Sequence, residues 1–342
     1  MLEVIVPATS ANIGPGYDCL GIALNLYNKF YFCEIEKGLI IDEKEEEYIN
    51  KDNLVYKSMM YFFNKIKPKK IPKGIKIKIV DDVPISRGLG SSATCIVAGL
   101  LAANYLSNSH LDKSEILKLA TEIEGHPDNV TPALYGNMII SLIEDNKIIH
   151  DTIKIPEIIR FCAIIPDFEL STEKARSVLP KTIDHKDGVF NVSRATLLVT
   201  AFMNKNLDLL KIACKDKFHQ DYRSPLIKDY DKVVNHANKL NSLGTFLSGA
   251  GPTIMSLTTD DDTKFIDEME SFLSTLDNMF ISFAISKLSI QITSKYIYEF
   301  RYIIILKMRK NVDIKKIYFL KDKFPLKQKI KNGEIYIKIL QI

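Results

Sequence analysis

The sequence has few cysteines and no long apolar run. Its five cysteines are scattered, form no Cys-x-x-Cys pair and are odd in number, which argues against a disulfide framework and against a cysteine-based zinc site. No segment approaches the roughly 18 consecutive apolar residues of a membrane span. The first residues lack the basic region and apolar stretch of a secretory signal. We therefore expect a protein of a reducing compartment, the cytoplasm, with no membrane partner.

The 342 residues, 46% of them hydrophobic, are enough for two domains with a substantial core. The net charge is +4, but residues 296–342 contain twelve Lys and Arg against four Asp and Glu, so the rest of the chain is net negative. This basic tail has three open explanations: a lineage-specific extension, an out-of-frame or read-through sequence, or an appendage for nucleic acid or an acidic surface, the last being least favoured. The alternation of apolar and basic residues in its end, GEIYIKILQI, predicts β structure.

A glycine-rich junction, PISRGLGSSAT (Pro84–Thr94), is the clearest local motif. The run before it, Gly74–Val83, alternates as a strand does, and the run after it, Ala93–Leu106, is helix-like. A helix N-terminus preceded by glycines suits a phosphate, because unpaired N–H groups point at the anion. For the loop alone, a plain strand-to-helix turn is an equally good interpretation. The segment is not a Walker A loop, since it contains no Gly-Lys-Ser/Thr. We expect Ser91 or Ser92 to cap the helix while the other hydroxyl faces a ligand or its magnesium.

Polar residues also follow the first strand-like segment, in VPATSANIGPGYDCLGIAL. Asn12, Gly14, Pro15 and Gly16 break the strand, and the segment then presents Tyr17 and Asp18. Polar side chains on a rigid turn suit recognition of a small molecule. For Asn12 alone, an ordinary Asx turn or hairpin is the favoured interpretation.

A third motif, LDKSEILKLATEIEGHPDNVTPALYG, predicts a helix with a capping box at Asp112 and Glu115 and an end at Gly125. Glu122 and Glu124 lie two positions apart, so on a helix they point about 200° away from each other and at most one faces a shared site. Glu124 is the better candidate for a metal ligand, because a carboxylate in the last helical turn is electrostatically unfavourable and invites a functional explanation.

With a late glycine motif, GTFLSGAGPTIMSL, these stretches resemble the three motifs of the GHMP kinase superfamily, which includes galactokinase and the homoserine, mevalonate and phosphomevalonate kinases. Within it the chain is most similar to the homoserine kinases, through TSANIGPGYDCLGIAL, EGHPDNVTPALYG, STEKARSVLP and HQDYRSPLI. The resemblance covers about residues 1–292. It implies an α+β fold with a ribosomal protein S5 domain 2-like domain over residues 1–155 and a ferredoxin-like domain over 156–292, the active site lying between them. Residues 293–342 are then a basic tail of unknown role.

The resemblance implies a small-molecule kinase that transfers a phosphoryl group from ATP, with magnesium, to the hydroxyl of L-homoserine in threonine biosynthesis. Two alternatives stay open. One is a GHMP-type kinase for another small alcohol, similar to mevalonate, shikimate or a sugar, and the less favoured one is a non-catalytic binding protein. Nucleic acid is not expected as a partner, and the oligomeric state stays open, a homodimer included.

The resemblance also assigns residues to roles. Ser92 and Glu124 match the magnesium ligands and, with Asn129, are the candidate catalytic residues. The residues that match the amino acid site are Asn12, Asp18, His126, Asn129, Arg176, Arg223 and Gly249. The residues that match the nucleotide site are Asn53, at the adenine, and Ile85, Ser86, Arg87, Gly88, Leu89, Gly90, Ser91, Ser92, Ala93, Thr94 and Cys95, around the triphosphate.

The chemistry of these residue types agrees with the assignment. Asp18 is suited to an ammonium group, and the planar forks of Arg176 and Arg223 are suited to a carboxylate. Some superfamily members have an aspartate at the position of Asn129, but an amide cannot accept a proton. Because phosphoryl transfer depends mainly on positioning and charge stabilisation, we assign no general base.

Overall fold

The computed structural model describes residues 1–43, 46–259, 262–276, 279–280, 326–331 and 334–339. The chain divides into two compact units, Met1–Ile290 and Gln291–Ile342. The first unit contains two sheets with their helices and holds every candidate site residue named above. No helix in the described part of the chain combines the length and the apolar composition that crossing a membrane requires.

The first sheet of this unit has six strands. In chain order they are β1 (Leu2–Ala11), β2 (Leu20–Ile35), β3 (Gly38–Asp42), β4 (Gly74–Val80), β5 (Met138–Glu144) and β6 (Lys147–Ile153). The sheet order is β3-β4-β2-β5-β6, and β1 pairs with β2 as well. All pairs are antiparallel except β3 with β4. The strand predicted over Gly74–Val83 therefore exists but ends three residues earlier, at Val80.

Four helices accompany this sheet: α1 (Leu54–Ile66), α2 (Ser91–Leu106), α3 (Lys113–Glu124) and α4 (Pro127–Tyr135). The helix α2 contacts β1 and the other three helices. Its small residues permit this central position, since a Cβ on Gly99 would lie 2.4 Å from the Val55 carbonyl oxygen of α1. The side chains of α2 are accordingly buried around most of its circumference.

The two predicted helix starts have different outcomes. The capping box at the start of α3 is confirmed, because the Asp112 side chain accepts from the Glu115 backbone N–H and the Glu115 side chain accepts from the Asp112 N–H. The expectation that a serine caps α2 is wrong. The N-cap is Gly90, with φ of 65°, and Ser91 and Ser92 are already helical. A left-handed N-cap favours glycine over serine because glycine has no Cβ.

The second sheet follows with four strands, β7 (Ile159–Pro166), β8 (Gly244–Leu247), β9 (Ile254–Thr259) and β10 (Met279–Phe280). Its order is β10-β7-β9-β8 and its pairs are antiparallel. Numbered along the chain, this order is 4-1-3-2, the arrangement of a ferredoxin-like domain, so the predicted fold class is confirmed. The motif TFLSGAGPTIMSL is typical of a hairpin with a Gly turn, and it forms β8, the turn and β9. We also expect a last strand of the domain at about residues 281–292, which lie outside the described residues.

The helices associated with this sheet are α5 (Thr172–Ser177), α6 (His185–Met203), α7 (Leu210–Ala213), α8 (Gln220–Arg223), α9 (Tyr230–Lys239) and α10 (Thr263–Leu273). A single buried apolar cluster contains side chains from both sheets, among them Ile22 and Met138 from the first and Phe161, Phe246 and Met255 from the second. The two sheets of Met1–Ile290 therefore share a core. A separate cluster joins the second sheet to α9 and α10.

The second unit, Gln291–Ile342, contains a two-stranded antiparallel sheet of β11 (Leu326–Lys331) and β12 (Glu334–Ile339). This confirms the β structure that the alternation of apolar and basic residues in GEIYIKILQI predicts. Alternation of this kind is typical of a strand that presents one apolar face.

Candidate active site

A cavity of about 240 Å³ lies in the first unit. Most of the residues predicted for the site line it: Asn12, Asp18, Asn53, Ile85, Ser86, Arg87, Gly88, Gly90, Ser91, Ser92, Cys95, Glu124, His126, Asn129, Arg176, Arg223 and Gly249. Three residues of the glycine loop, Leu89, Ala93 and Thr94, are instead fully buried and do not line it. They support the loop from behind, and Thr94, for example, accepts a hydrogen bond from Asn28 at 2.9 Å.

The glycine loop is held in shape from both sheets. Thr9 of β1 donates its N–H to the Leu89 carbonyl at 3.0 Å, and the Ser248 hydroxyl donates to the Gly88 carbonyl at 2.6 Å. Gly88 and Gly90 both have positive φ. A Cβ added to Gly88 would lie 2.4 Å from the Ser248 carbonyl oxygen, and a Cβ added to Gly90 would lie 1.9 Å from the Thr9 hydroxyl. Glycine is thus required for the close approach of the loop, which leads directly into the N-terminus of α2, where backbone N–H groups favour an anion.

Two oxygen-bearing side chains meet at the start of α2. The Ser92 hydroxyl donates to Glu124 Oε1 at 2.9 Å. Burial raises the pKa of the Glu124 carboxyl, against the opposing effects of His126 and of the Ser92 hydrogen bond. Glu122 faces the other way and accepts from Tyr61 Oη at 2.6 Å, as the helical spacing predicts. Because carboxylate and hydroxyl oxygens are the ligands that Mg²⁺ prefers beside phosphate oxygens, Ser92 and Glu124 fit that ion.

An acidic cluster occupies the wall at the start of α4. His126 Nδ1 contacts the carboxylate of the buried Asp128. Burial alone would lower the pKa of His126, but the hydrogen bond and charge of Asp128 raise it. Polar atoms of these two residues and of Asp18 lie within 4.8 Å of one another. Asp128 is a lining residue that the sequence analysis missed, although its place in the HPDN motif marks it, and the cluster suits a cationic group.

The neighbouring Asn129 is fixed by a residue of the first strand. Its Oδ1 accepts from the Thr9 hydroxyl at 2.8 Å. The same Thr9 supports the glycine loop through its backbone N–H, so it connects Asn129 to the phosphate side of the cavity. Thr9 was not predicted, since a threonine within a strand carries no local sign of such a role.

Asp18 and Arg176 form an ion pair at the cavity wall. Arg176 donates from Nη2 to Asp18 Oδ1 at 2.8 Å and from Nη1 to Oδ2 at 3.1 Å. The sequence analysis expects them to bind opposite ends of an amino acid, and the structure brings them together. Burial alone would lower the pKa of the Arg176 guanidinium, but the contacts with Asp18 raise it. The two groups are thus near enough for one zwitterion to reach both.

Arg223 stands next to this pair and is 1% exposed. It donates from Nε to the Ala175 carbonyl and from Nη1 to the Gly249 carbonyl, each at 3.0 Å, and Nη1 lies 3.3 Å from His219 Nδ1. Burial lowers the pKa of Arg223. Backbone carbonyls and a histidine therefore fix the direction of this guanidinium.

Tyr17 lies beside both arginines, and the sequence marks it only as one of the polar side chains on the turn. Its hydroxyl accepts from Arg176 Nη1 at 3.0 Å. Its ring centre lies 5.8 Å from the guanidinium carbon of Arg176 and 5.3 Å from that of Arg223. The only local signal is its position beside Asp18 in the turn, which does not reveal the distant arginines.

Asn53 uses its amide within the protein. Its Oδ1 caps α1 by accepting from the Val55 and Tyr56 N–H groups, and its Nδ2 donates to Glu43 Oε2 at 2.8 Å. Glu43 and Tyr48 line the same end of the cavity and were not predicted. Glu43 follows β3, and Tyr48 ends a single 3-10 turn, Glu46–Tyr48, which is too short to give a periodic signal in the sequence.

Comparison with known proteins gives matches along most of the first unit. The family model for the GHMP kinases N terminal domain matches residues 53–137, and that for GHMP kinases C terminal matches residues 198–274. A homoserine kinase of Clostridium botulinum is 54% identical over 278 residues, which are 81% of this chain and 93% of the relative. One of Clostridium beijerinckii is 53% identical over 274 residues, 80% of this chain and 91% of the relative. The crystal structure of homoserine kinase from Cytophaga hutchinsonii is similar with a TM-score of 0.71 at 28% identity, covering 83% of this chain and 94% of that one.

Proposed function

The chain belongs to the homoserine kinases of the GHMP kinase superfamily, and on that premise we propose how its cavity binds ATP, magnesium and L-homoserine. The protein is a small-molecule kinase that uses ATP as co-substrate and phosphorylates homoserine in threonine biosynthesis. The reaction transfers the γ-phosphoryl group of ATP to the side-chain hydroxyl and yields O-phospho-L-homoserine.

The glycine loop binds the triphosphate in this proposal. Backbone N–H groups at the start of α2 face the phosphates, and the positive end of the helix attracts their charge. Arg87 supplies a cation on the same loop; it lines the cavity and lies 3.5 Å from Glu169. The adenine lies at the other end of the cavity, beside Asn53, Glu43 and Tyr48, where Asn53 orients the Glu43 carboxylate.

Ser92 and Glu124 would hold magnesium. When bound there, the ion would supply positive charge to the phosphate oxygens during transfer. The hydroxyl and the carboxylate are already 2.9 Å apart, so both are in reach of one small cation. Because burial raises the pKa of Glu124, its charged form is less stable without a positive partner, which favours binding of a cation.

The ion pair of Asp18 with Arg176 is the observation that carries the proposal for the amino acid. Homoserine bears its ammonium and its carboxylate on one carbon, so it offers each member of the pair an opposite charge. The ammonium takes the place of Arg176 beside Asp18, near the acidic cluster of His126 and Asp128, and the carboxylate takes the place of Asp18 beside Arg176 and Arg223. A ligand with only one of the charges leaves a partner unpaired, which costs free energy at a partly buried site.

The hydroxyl of the substrate is then directed towards the γ-phosphate. Asn129, held by Thr9, and Asn12, which donates to the Gly249 carbonyl at 2.9 Å, form the polar wall along which the side chain extends. These residues act by positioning, and no side chain is assigned as a general base. Positioning together with charge stabilisation is sufficient for a phosphoryl transfer with a loose transition state.

The organisation of the chain is part of the proposal. We place the boundary between the two domains near residue 155, between β6 and β7, and regard residues 293–342 as a basic tail of unknown role. We also infer that the protein works in the cytoplasm, where homoserine and ATP are present.

A coupled assay of ADP release tests the function. Purified protein, ATP and magnesium are combined in turn with L-homoserine, mevalonate, shikimate and galactose. We expect kcat/KM for L-homoserine to exceed that for each other alcohol by at least about a hundredfold, since only homoserine offers both charges. A higher value for another alcohol would assign the cavity to that substrate. Salt-dependent binding of nucleic acid without any ADP release would instead support a non-catalytic protein.

A further inference from the structure

Tyr17 lies between the two arginines that the proposed function assigns to the substrate carboxylate. Its hydroxyl accepts from Arg176 Nη1 at 3.0 Å, and the guanidinium carbon of Arg223 lies 5.3 Å from its ring centre. Its ring packs at 5.3 Å from the ring of the buried His219. Tyr17 therefore contacts one arginine through its oxygen and lies beside the other through its ring, and the two cations come from different helices, α5 and α8.

The backbone around Tyr17 is fixed. The side chain of Asn12 closes the turn by accepting from the Asp18 N–H at 3.0 Å, and its amide donates to the Gly249 carbonyl at 2.9 Å. The Gly14 carbonyl accepts from His219 Nε2 at 2.9 Å. A Cβ on Gly14 would lie 2.4 Å from the Cys214 carbonyl oxygen, so the turn is packed directly against the segment before α8. Tyr17 thus stands on a rigid support.

The hydrogen-bonding capacity of the phenol then decides where its proton points. The oxygen offers two lone pairs and one O–H, and Arg176, which is a donor only, uses one lone pair. Each oxygen of the nearby Asp18 carboxylate accepts from Arg176. The phenol O–H can donate to an acceptor that arrives between the arginines. A carboxylate held by Arg176 and Arg223 is such an acceptor.

We propose that Tyr17 is a third ligand of the substrate carboxylate: its oxygen holds Arg176 in place, its ring lies beside Arg223, and its O–H donates to the carboxylate. This inference rests on the proposed function of the same site. Burial, and then the charge of Asp18, raise the pKa of Tyr17, so the phenol keeps its proton at neutral pH. A hydrogen bond from a neutral phenol to a carboxylate is of the stronger, charge-assisted kind.

The test is Tyr17→Phe, which keeps the ring and removes only the oxygen. We expect the KM for L-homoserine to rise about ten- to a hundredfold, the usual range for a hydrogen bond to a charged group. The KM for ATP and the melting temperature should change little, because the ring still packs on His219. Tyr61→Phe is the matched control, since that hydroxyl bonds Glu122 on the protein surface.

A second ligand tests whether the loss of binding in the variant depends on the carboxylate. The alcohol 3-aminopropan-1-ol is homoserine without its carboxylate, and its inhibition constant against homoserine should change less than about twofold between wild type and Tyr17→Phe. A homoserine KM within twofold of wild type, or an equal loss for both compounds, overturns the proposal. These outcomes concern only the variant. Failure of the proposed function would appear in the wild-type protein, as a lack of preference for homoserine.

Discussion

Asp18 and Arg176, 158 residues apart in the sequence, meet in a two-hydrogen-bond ion pair, Nη2 to Oδ1 at 2.8 Å and Nη1 to Oδ2 at 3.1 Å. Their side chains are 34% and 37% exposed, so water screens the pair and it contributes little to stability. This weakness favours a role in substrate binding. The incoming ammonium and carboxylate must break the contact between Asp18 and Arg176, and breaking it costs little free energy.

The first prediction concerns this exchange. Asp18→Asn should raise the KM for L-homoserine at least tenfold, because the ammonium loses its counter-charge. The KM for ATP should stay within about twofold, and the melting temperature should fall by at most a few degrees. The control is Asp52→Asn, which breaks an exposed pair with Lys57 and should leave both constants unchanged. A homoserine KM equal to that of wild type would show that Asp18 does not bind the ammonium.

Glu124→Gln is expected to lower turnover on the order of a hundredfold while the protein still binds ATP. The change removes the negative charge of a metal ligand and keeps its volume. Steady-state kinetics over a series of magnesium concentrations measures the effect. Glu122→Gln, on the same helix but bonded to Tyr61, serves as the comparison and should behave as wild type. Near-normal turnover of the Glu124 variant would remove this residue from the magnesium site.

Gly90→Ala tests whether the glycine loop binds the phosphates of ATP. A Cβ at this N-cap would lie 1.9 Å from the Thr9 hydroxyl and 3.2 Å from Asn129 Oδ1, so the loop must shift away from its present path. We expect the KM for ATP to rise at least tenfold, about 1.4 kcal/mol at fixed turnover.

The control for this substitution is Gly38→Ala. Gly38 also has positive φ, but an added Cβ would meet nothing within 4 Å. Both variants therefore lose about 1 kcal/mol because alanine disfavours a positive φ, but only Gly90→Ala displaces the glycine loop. Equal effects of the two on the ATP constant would mean that the clash is irrelevant to nucleotide binding.

A pH-dependent prediction concerns Lys113. Its ammonium lies 5.0 Å from the Tyr135 ring centre, and burial lowers its pKa from 10.5 to about 8. Between these two values the unfolded chain binds the proton more tightly than the folded chain, so this group makes the free energy of unfolding increase with pH across that window. Lys113→Met should remove the increase and should stabilise the protein most below pH 8.

Urea unfolding of wild type and variant at about pH 7 and about pH 10 measures that difference. Lys118→Met, at an exposed position of the same helix, corrects for the loss of one positive charge. If the difference in stability between wild type and Lys113→Met is the same at both pH values, Lys113 does not titrate in this window.

The tail gives a fifth prediction. A chain truncated after Ile290 should phosphorylate L-homoserine with a kcat/KM within about twofold of the full chain, since the described residues that line the cavity all lie at or before Gly251. Kinetics and thermal melting of the two chains provide the comparison. Aggregation, or a melting temperature lower by several degrees, would show that residues after 290 contribute to the stability of the catalytic unit.

The sequence alone predicts the local features of the site well. The strand, glycine loop and helix around Gly88 and Gly90 are present, and Glu122 and Glu124 diverge as helical spacing requires, because periodicity and backbone freedom act over a few residues. The N-cap of α2 is the local failure. Serine is the commoner N-cap, but the left-handed backbone at Gly90 decides in favour of glycine.

Contacts between distant parts of the chain could not be predicted. The pair of Asp18 with Arg176, the link from Thr9 to Asn129 and the position of Tyr17 between two arginines all depend on how the two sheets pack. Neither propensity nor spacing encodes such contacts. The ferredoxin-like strand order likewise followed from the resemblance to a family and not from the pattern of apolar residues.

The hydrogen bonds that hold the glycine loop and the turn after β1 have a consequence for folding. Ser248 is 160 residues from Gly88, and Gly249 is 237 residues from Asn12. Closing loops of this length costs conformational entropy, and only packing contacts that form at the same time offset that cost. These segments therefore take their final shape when the second sheet docks. We therefore expect ATP to bind only late in folding, after the second sheet has docked. A nascent chain that ends before β8 contains every glycine of the loop but lacks Ser248 and Gly249, so we expect it to lack full affinity for nucleotide.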